Sequence, residues 1–364
     1  MKLPFTFSNS KVLFALLLFL SSFWGISHSA NAQTIPDANF AAAIRTACPT
    51  CIDGSNNLLA PAASLTYLNV SNKSISDLTG IGGFTSLQTL ECTENQLTSL
   101  PTLPSSLTYL NCRDNQLTDL PALPAGLTVL SCDNNPITSL PSLPSTLVQL
   151  FCQRNSLTNL PALPMGFTDL YCAGNELSSL PTLPTTLDGL FCNNNFLSAL
   201  PTLPASLTRL DCSFNALTAL PTLPANLTIL YCSSNSLTVL PALPANLSKL
   251  SCGSTTLTSL PTLPVSLTEL DYSFGPITEL PTLPGTLTKL YIGDNISRLP
   301  NAVAGLEVYR NYALITTPPV CPPPIHIPDA NFAAAIRTAC PTCIDGSDNL
   351  RPAAGSLTYL GVKY

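Results

Sequence analysis

Charged residues are scarce in this chain of 364 residues. Lysine and arginine together number 14, aspartate and glutamate 20, and the formal net charge at pH 7 is −6. A nucleic-acid partner is not predicted, because phosphate binding needs clustered positive charge. The acidic residues Asp169, Asp211, Glu269 and Asp271 are scattered along the sequence, and we interpret them as solvated surface residues.

Histidine is scarcer still, and its positions provide no nucleophile–histidine pair within the repeats. Only His28 and His326 occur, one in an apolar leader and the other in a proline-rich stretch. Neither lies in the central part of the chain, where a nucleophile could use it as a base. The sequence also has no glycine-rich phosphate loop and no calcium-binding loop. It therefore predicts no enzyme activity, no cofactor and no metal site.

The chain consists instead mainly of one twenty-residue unit, repeated from Leu87 to Pro284. The segment Leu107–Pro124 shows it clearly, with the sequence LTYLNCRDNQLTDLPALP. Its skeleton is Leu, two variable residues, Leu, one variable residue, Cys, two variable residues, Asn, one variable residue, Leu and then LPxLP. Self-similarity at such a period is typical of solenoids, in which successive repeats stack in one direction.

The residue types within one unit predict its local structure. Leu110 and Cys112 alternate with other residues in the period-two pattern of a short strand with one buried face. Asn115 follows where the chain must turn inward, and its amide can bond main-chain groups that no sheet pairs. Pro121 and Pro124 exclude a helix and favour an extended, polyproline-like return limb. The equivalent asparagines predict a hydrogen-bonded ladder along the solenoid: Asn95, Asn115, Asn135, Asn155, Asn175, Asn195, Asn215 and Asn235.

A unit of this size cannot bury its own leucines, so the units must stack and cover one another. The first-position residues run from Leu65, Leu87 and Leu107 to Leu287 and give twelve rungs, of which only Phe167 is not leucine. The expected fold is an α/β-type repeat solenoid. It should have a curved parallel β-sheet on the concave side, an extended, polyproline-like convex side and a short N-terminal cap helix.

The N-terminal region differs from the array. Residues 1–32 contain Lys2, Lys11, an apolar run and the small-residue exit Ala30–Ala32, which predict a signal peptide and export to the medium or cell surface. A membrane anchor is the alternative, but we expect no stable membrane span after cleavage. Residues 33–64 read as an N-terminal cap with a short helix around Phe40 and Ile44, and residues 65–315 as the solenoid.

The C-terminal region contains a duplication. Residues 316–326 form a proline-rich linker. Residues 327–364 then repeat the cap and the first strand, and 327–362 match 35–70 at thirty of thirty-six positions. We interpret this copy as the start of a second, truncated repeat domain. The alternative is a C-terminal cap for the first array.

The 14 cysteines fall into three groups. Nine of them, from Cys92 to Cys252, recur at the inward strand position, where neighbouring Cβ atoms lie about 4.8 Å apart, whereas a disulfide needs about 3.8 Å. We expect these to be buried thiols. The motifs Cys48–Cys51 and Cys340–Cys343 favour a local disulfide in each cap over a redox or zinc motif. Cys321 is left over.

Aromatic side chains cluster at the fifth position of neighbouring units, which is predicted to be exposed. Phe151, Tyr171 and Phe191 occupy it in three successive units, with Phe214 nearby and Tyr231 in the same position further along. An exposed aromatic patch is typical of a recognition surface, although rings on adjacent strands also simply cover one another. These five residues are the candidate partner-binding residues of the concave face, for a protein or glycan ligand.

The motif LPxLPxxLxxLxCxxNxL resembles the short bacterial leucine-rich repeats of the YopM/IpaH effector class. The stretch SISDLTGIGGFTSLQTLEC and the IPDxNF cap are similar to internalin-type and exported Bacteroidetes leucine-rich repeats. The resemblance covers Ile35–Asn311 and implies an exported bacterial protein with a role in protein interaction or adhesion. This sequence shows neither the ubiquitin-ligase domain nor the C-terminal sorting domain of those families, and a fragment of a longer protein would lack both.

The sequence therefore predicts a secreted or cell-surface binding module. The alternative is a structural surface or spacer protein without a specific ligand. A third hypothesis is a recognition domain for an enzyme encoded beyond Tyr364.

Overall fold

The computed structural model of the protein describes residues 33–296, 298–310 and 313–315. The predicted signal peptide, the proline-rich linker, Cys321 and the duplicated cap with Cys340–Cys343 lie outside these residues. No helix within the described ranges is long and apolar enough to cross a membrane.

The described strands are short and form one sheet in which their order follows the sequence. Strands β1 to β13 pair in parallel, and β14 pairs antiparallel with β13. From β2 to β12 the register advances by whole repeats, so that Leu90 pairs with Leu110 and Leu270 with Leu290. The strands are β1 Tyr67–Asn69, β2 Thr89–Glu91, β3 Tyr109–Asn111, β4 Val129–Ser131, β5 Gln149–Phe151, β6 Asp169–Tyr171, β7 Gly189–Phe191, β8 Arg209–Asp211, β9 Ile229–Tyr231, β10 Lys249–Ser251, β11 Glu269–Tyr272, β12 Lys289–Ile292, β13 Glu307–Arg310 and β14 Ala313–Ile315.

The core is a set of continuous rows, one row for each apolar position of the repeat. Leu107, Leu110, Cys112 and Leu117 are fully buried, as are their equivalents in the neighbouring units. Each buried leucine contributes about 1.5–3 kcal/mol relative to an exposed one, and most of that burial is provided by the adjacent rungs. From Thr89 to Arg310 the described residues contain strands and turns but no helix, as the paired prolines predict.

Each asparagine of the ladder joins two rungs. Asn175 donates from Nδ2 to the carbonyl oxygens of Cys172 and Cys152 at 3.0 and 2.9 Å, and its Oδ1 accepts the Leu157 N–H at 3.1 Å. The Cys152 carbonyl also accepts from Asn155, so two successive asparagines share it. Asn95 begins the ladder against the Val70 and Cys92 carbonyls. The same pattern holds at Asn115, Asn135, Asn155, Asn195, Asn215 and Asn235.

Where the ladder loses its asparagine, another group takes part of its role. Thr255 donates its hydroxyl to the Cys252 carbonyl at 2.9 Å. In the next rung Tyr272 replaces the cysteine, Gly275 replaces the asparagine, and the Tyr272 hydroxyl accepts the Ile277 N–H at 3.1 Å. A Cβ on Gly275 would lie 2.0 Å from that hydroxyl oxygen. Tyr272 and Gly275 therefore replace the usual cysteine and asparagine jointly, and we call this joint replacement the paired exchange.

The residue before each ladder position has a left-handed backbone. Arg154, Phe214 and Ser254 have φ values of 52°, 54° and 51°, and only Gly174 in this row is glycine. A residue with a Cβ loses roughly 1–2 kcal/mol in this conformation. The turn is held by bonds between rungs, such as Arg154 N–H to the Ala173 carbonyl at 2.8 Å. We name these positions, from Glu94 to Phe274, the left-handed row.

The N-terminal cap is α1, Ala38–Ala47, followed by 3-10 turns at Ala60–Ser64 and Ile81–Gly83. Asp37 caps α1 by accepting the N–H groups of Asn39 and Phe40, and its other oxygen accepts from Ser76 and Asp77. Burial alone would raise the pKa of Asp37, but these hydrogen bonds lower it below its usual value. One carboxylate therefore both starts the helix and ties it to the first repeat.

Cysteines appear in two states in the described chain. Cys48 and Cys51 form a disulfide just after α1. The nine ladder cysteines, Cys92 to Cys252, are free and buried. Desolvation raises the pKa of Cys92 and of Cys172 to about 12.

Candidate binding face

The first and third residues of each strand point away from the core and form what we call the open face of the sheet. On this face Phe151, Tyr171 and Phe191 are paired in register on β5, β6 and β7. Their rings stack face to face, with centroid separations of 4.6 and 4.5 Å and interplanar angles of 12° and 4°. Parallel strands spaced about 4.8 Å apart impose this geometry. We name these three residues the aromatic column.

The expectation that the fifth position is exposed is wrong for the column. All three rings are half-buried, because each ring covers the next and both faces of Tyr171 are occupied. At the preceding strand Ser131, in the same position, is buried. The rings therefore do cover one another, and the column offers mainly their edges to a ligand.

A charged cluster adjoins the Phe191 end of the column. The Arg209 guanidinium lies 5.7 Å from the centre of the Phe191 ring and bonds Asp169 at 3.0 Å and Asp188 at 2.6 Å. Gly189 lies between these groups. A Cβ there would approach Asp169 Oδ1 to 2.8 Å and Arg209 to 3.3 Å. Glycine therefore leaves the space in which arginine reaches across two strands.

The interpretation of Asp169 as a solvated surface residue is wrong. Its exposed fraction is 8%, and besides Arg209 it accepts hydrogen bonds from Gln149 and Thr168. The hydrogen bond from Thr208, together with Arg209, lowers the pKa of Asp188. The ion pair with Asp188 in turn raises the pKa of Arg209. The fold thus brings Asp169 and Asp188, which are distant in the sequence, together around Arg209.

The other two candidate residues, Phe214 and Tyr231, do not belong to the column. Tyr231 is half-buried on β9 and is separated from Phe191 by Asp211 of β8. Phe214 lies in the turn after β8, is 60% exposed and has a φ of 54°. The five predicted residues therefore form two clusters.

A further aromatic residue, Phe274, belongs with Phe214. It holds the same place in the left-handed row three rungs later, is 57% exposed and has a φ of 58°. The sequence contains a signal for it, since both phenylalanines occupy a position filled elsewhere by Glu, Asp, Asn, Arg, Gly or Ser. Both line one groove of about 620 Å³, together with Tyr231 and Tyr291. We name it the serine groove, because its other lining includes Ser213, Ser233, Ser234, Ser251, Ser254 and Ser273.

The floor of the serine groove is a chain of hydroxyls that ends on a carboxylate. Ser233 Oγ and Ser251 Oγ lie 2.7 Å apart, Ser251 donates to Asp271 Oδ2 at 3.0 Å, and Ser273 donates to Asp271 Oδ1 at 2.8 Å. Asp211 accepts the Ser213 N–H at 3.1 Å. Desolvation raises the pKa of Asp211, although its hydrogen bonds with Ser213 oppose the shift. A polar, partly desolvated floor of this kind can bind a ligand that offers hydrogen bonds.

We also searched the part of the chain that the structure describes for clusters of metal-ligating side chains. Within those residues no three His, Cys, Asp or Glu side chains are placed to hold a metal ion.

Comparison with known proteins places this architecture among leucine-rich repeats. The family model described as leucine rich repeats in two copies matches residues 105–145, and no curated protein matches the sequence. Among solved structures, YopM from Yersinia enterocolitica is 35% identical with a TM-score of 0.62, and the match covers 67% of this chain and 59% of that chain. The present chain thus spans less than two thirds of that protein's length.

Two further solved structures agree. YopM from Yersinia pestis, a leucine-rich effector protein, is 28% identical with a TM-score of 0.57, over 84% of this chain and 95% of that chain. The functional domain of InlJ from Listeria monocytogenes, which includes a cysteine ladder, is 27% identical with a TM-score of 0.57, over 78% of this chain and 70% of that chain. The described chain is therefore a leucine-rich repeat solenoid similar to those of these bacterial proteins.

Proposed function

We propose that this protein is a secreted or cell-surface interaction module that binds a macromolecular ligand on the open face, which is the concave face of the solenoid. The observation that carries the proposal is the aromatic column with Arg209 at its end. Export is supported by the leader of residues 1–32 and by the likeness to bacterial leucine-rich repeat proteins such as YopM and InlJ.

A protein is the favoured ligand of the column. The rings occupy one another's faces, so the column presents a strip of ring edges rather than a free face on which a sugar could stack. Arg209 with its two carboxylates gives this strip a polar rim. Tyrosine and arginine beside apolar anchors carry much of the energy of protein interfaces, typically about 2 kcal/mol or more for each anchor.

The alternative is a spacer in which the column only adds stability. Each stacked aromatic pair contributes about 0.5–1.5 kcal/mol beyond its burial. In a spacer, the two pairs would therefore serve only to add roughly 1–3 kcal/mol to the folding stability. The two hypotheses differ in what removal of the rings does to binding rather than to folding.

The test replaces Phe151, Tyr171 and Phe191 together by serine, the residue found at the same position in β4 and β10. The matched control replaces three exposed apolar residues away from the open face, Met165, Val239 and Val265, by serine. Both variants and the unmodified protein are immobilised, and proteins captured from cell-surface extracts are quantified by mass spectrometry. Circular dichroism and urea unfolding establish that each variant is folded.

We expect a set of proteins captured by the unmodified protein and by the control but reduced at least about tenfold with the column variant. Equal capture by all three folded proteins would support the spacer and refute binding by the column. A column variant that fails to fold would assign the rings to the core and also count against the proposal.

A further inference from the structure

Two members of the left-handed row, Phe214 and Phe274, are aromatic, whereas its other members are polar residues or glycine. Phe214 and Phe274 are more than half exposed and have backbones that residues with a Cβ adopt at a cost. Between them the same row has serine, at Ser234 and Ser254. The left-handed turn recurs along the whole row and so does not itself require phenylalanine, whereas exposed apolar surface rimmed by polar residues is typical of a ligand-binding groove.

The space between these two rings is created by small side chains. Ser233, Gly253 and Ser273 precede the left-handed row in successive rungs, and all three line the serine groove. Gly253 is fixed by a close backbone approach, since a Cβ there would lie 2.1 Å from the Ser273 carbonyl oxygen. A larger residue at this position would fill the groove or push the next rung away.

The width of the groove excludes an aromatic cage around one cation. Phe214 and Phe274 are three rungs apart, which corresponds to about 14 Å at the usual strand spacing. Cation–π recognition requires rings within about 6 Å of the charge. The rings therefore lie at the two ends of an elongated ligand rather than around a single ammonium group.

The chemistry of the floor indicates what such a ligand offers. The Ser233, Ser251 and Ser273 hydroxyls and the Asp271 carboxylate form a connected set of acceptors with rotatable donors. Asp211 adds a second carboxylate, and Lys249 is already paired with Glu269 at 3.2 Å. With three carboxylates and one paired ammonium along the groove, an anionic ligand is disfavoured.

We infer that the serine groove binds a neutral oligosaccharide, separately from the aromatic column. Sugar hydroxyls bond the serines and carboxylates of the floor, and the apolar faces of the sugar rings contact Phe214 and Phe274 at the two ends. This combination of apolar walls with a few convergent polar groups is the usual composition of a small-molecule site.

The test measures binding of neutral hexasaccharides of glucose, mannose, galactose and N-acetylglucosamine, each at up to about 1 mM, so that dissociation constants up to about 1 mM are detected. Calorimetry and ligand-observed NMR are performed on the full chain. A heparin hexasaccharide and a lysine hexapeptide serve as the anionic and cationic probes. The site variant is Phe214→Ser with Phe274→Ser, which copies the residue of the two intervening rungs. The matched control is Phe196→Ser, because Phe196 is equally exposed but does not line the groove.

We expect at least one neutral hexasaccharide to bind, with affinity about tenfold or more weaker in the double variant and unchanged in Phe196→Ser. The column variant in which Phe151, Tyr171 and Phe191 are serine should retain this binding, which separates the inference from the proposed function. Binding of no neutral hexasaccharide, of the charged probes in preference, or with full affinity in a folded double variant would each overturn it.

Discussion

The paired exchange at Tyr272 and Gly275 allows the energetics of one rung to be tested directly. In most rungs of the ladder these positions are cysteine and asparagine, whereas here a tyrosine hydroxyl fills the space of the missing amide. We consider three variants: Tyr272→Cys, Gly275→Asn and the two substitutions together. The third restores the residue pair found from Cys92 and Asn95 to Cys232 and Asn235.

Each single change should be costly for a different reason. Tyr272 is 1% exposed, so Tyr272→Cys empties a ring-sized volume and should cost about 3–5 kcal/mol, as large-to-small aromatic substitutions do. In Gly275→Asn the new Cβ would lie 2.0 Å from a hydroxyl oxygen whose ring is enclosed. Overpacking of that kind costs roughly 1–3 kcal/mol or more.

The double variant should be far less damaged than the sum of the two. The introduced asparagine side chain would fill the volume left by the ring and could bond the Cys252 carbonyl as the other ladder asparagines bond the preceding rung. The remaining cost is that of the Ile277 N–H, which loses the tyrosine hydroxyl, about 1–3 kcal/mol if no group replaces it. The coupling between the substitutions should therefore be favourable by at least about 2 kcal/mol.

Urea unfolding followed by circular dichroism gives the three stability differences. Because long repeat arrays can unfold in parts, hydrogen exchange of the peptide that spans residues 272–285 should accompany it. Faster exchange in both single variants, with near-normal protection in the double variant, is the expected pattern. If the cost of the double variant equals the sum of the single costs, the hydroxyl does not substitute for the amide and our description of the exchange is wrong.

Two further predictions concern the ladders. Asn175→Ala should lower the free energy of unfolding by about 1–3 kcal/mol, because the buried Leu157 N–H loses its acceptor while the Cys152 and Cys172 carbonyls each keep a second asparagine. The control Ser178→Ala, at an exposed position of the same rung, should change it little. Equal urea midpoints for the two variants would contradict the ladder. Alkylation of the native protein should label few of the cysteines from Cys92 to Cys252, because they are buried, whereas unfolding without reductant should make about nine of them available for labelling. Labelling of these cysteines only after reduction would show that they are oxidised and would contradict the prediction.

Much of the fold follows from the period of the sequence. Rows of leucine at fixed spacing can be buried only by stacking, and a cysteine at an inward position must point into the core. Strands and core rows could therefore be placed from residues such as Leu110 and Cys112. The asparagine ladder could also be predicted, since the amide has both a donor and an acceptor for the turn. These features depend on contacts repeated identically in every rung.

The features that differ between rungs could not be predicted in this way. The left-handed row carries Glu, Arg and Phe, which give no glycine-like signal for a positive φ. The Arg209–Asp169 ion pair spans two strands and depends on the absence of a side chain at Gly189. Tyr272 and Gly275 are each visible in the sequence as irregularities, but only their contact shows that one compensates for the other. The serine groove similarly required Phe214 and Phe274 to be placed on one surface.

Because the register of the sheet is constant, the distance between two surface features along the solenoid is set by the whole number of rungs between them. Because each strand from β2 to β12 pairs with the next at a shift of whole repeats, duplication of one complete unit leaves both new neighbours with matching register and core rows. A gene that gains a unit between β7 and β8 by recombination between its near-identical repeats would move Phe214 away from the aromatic column by one step of about 4.8 Å, and it would also separate Arg209 from Asp169. The separation of two features on this scaffold can therefore change by a counted number of steps, with the buried leucine rows continuing across the junction.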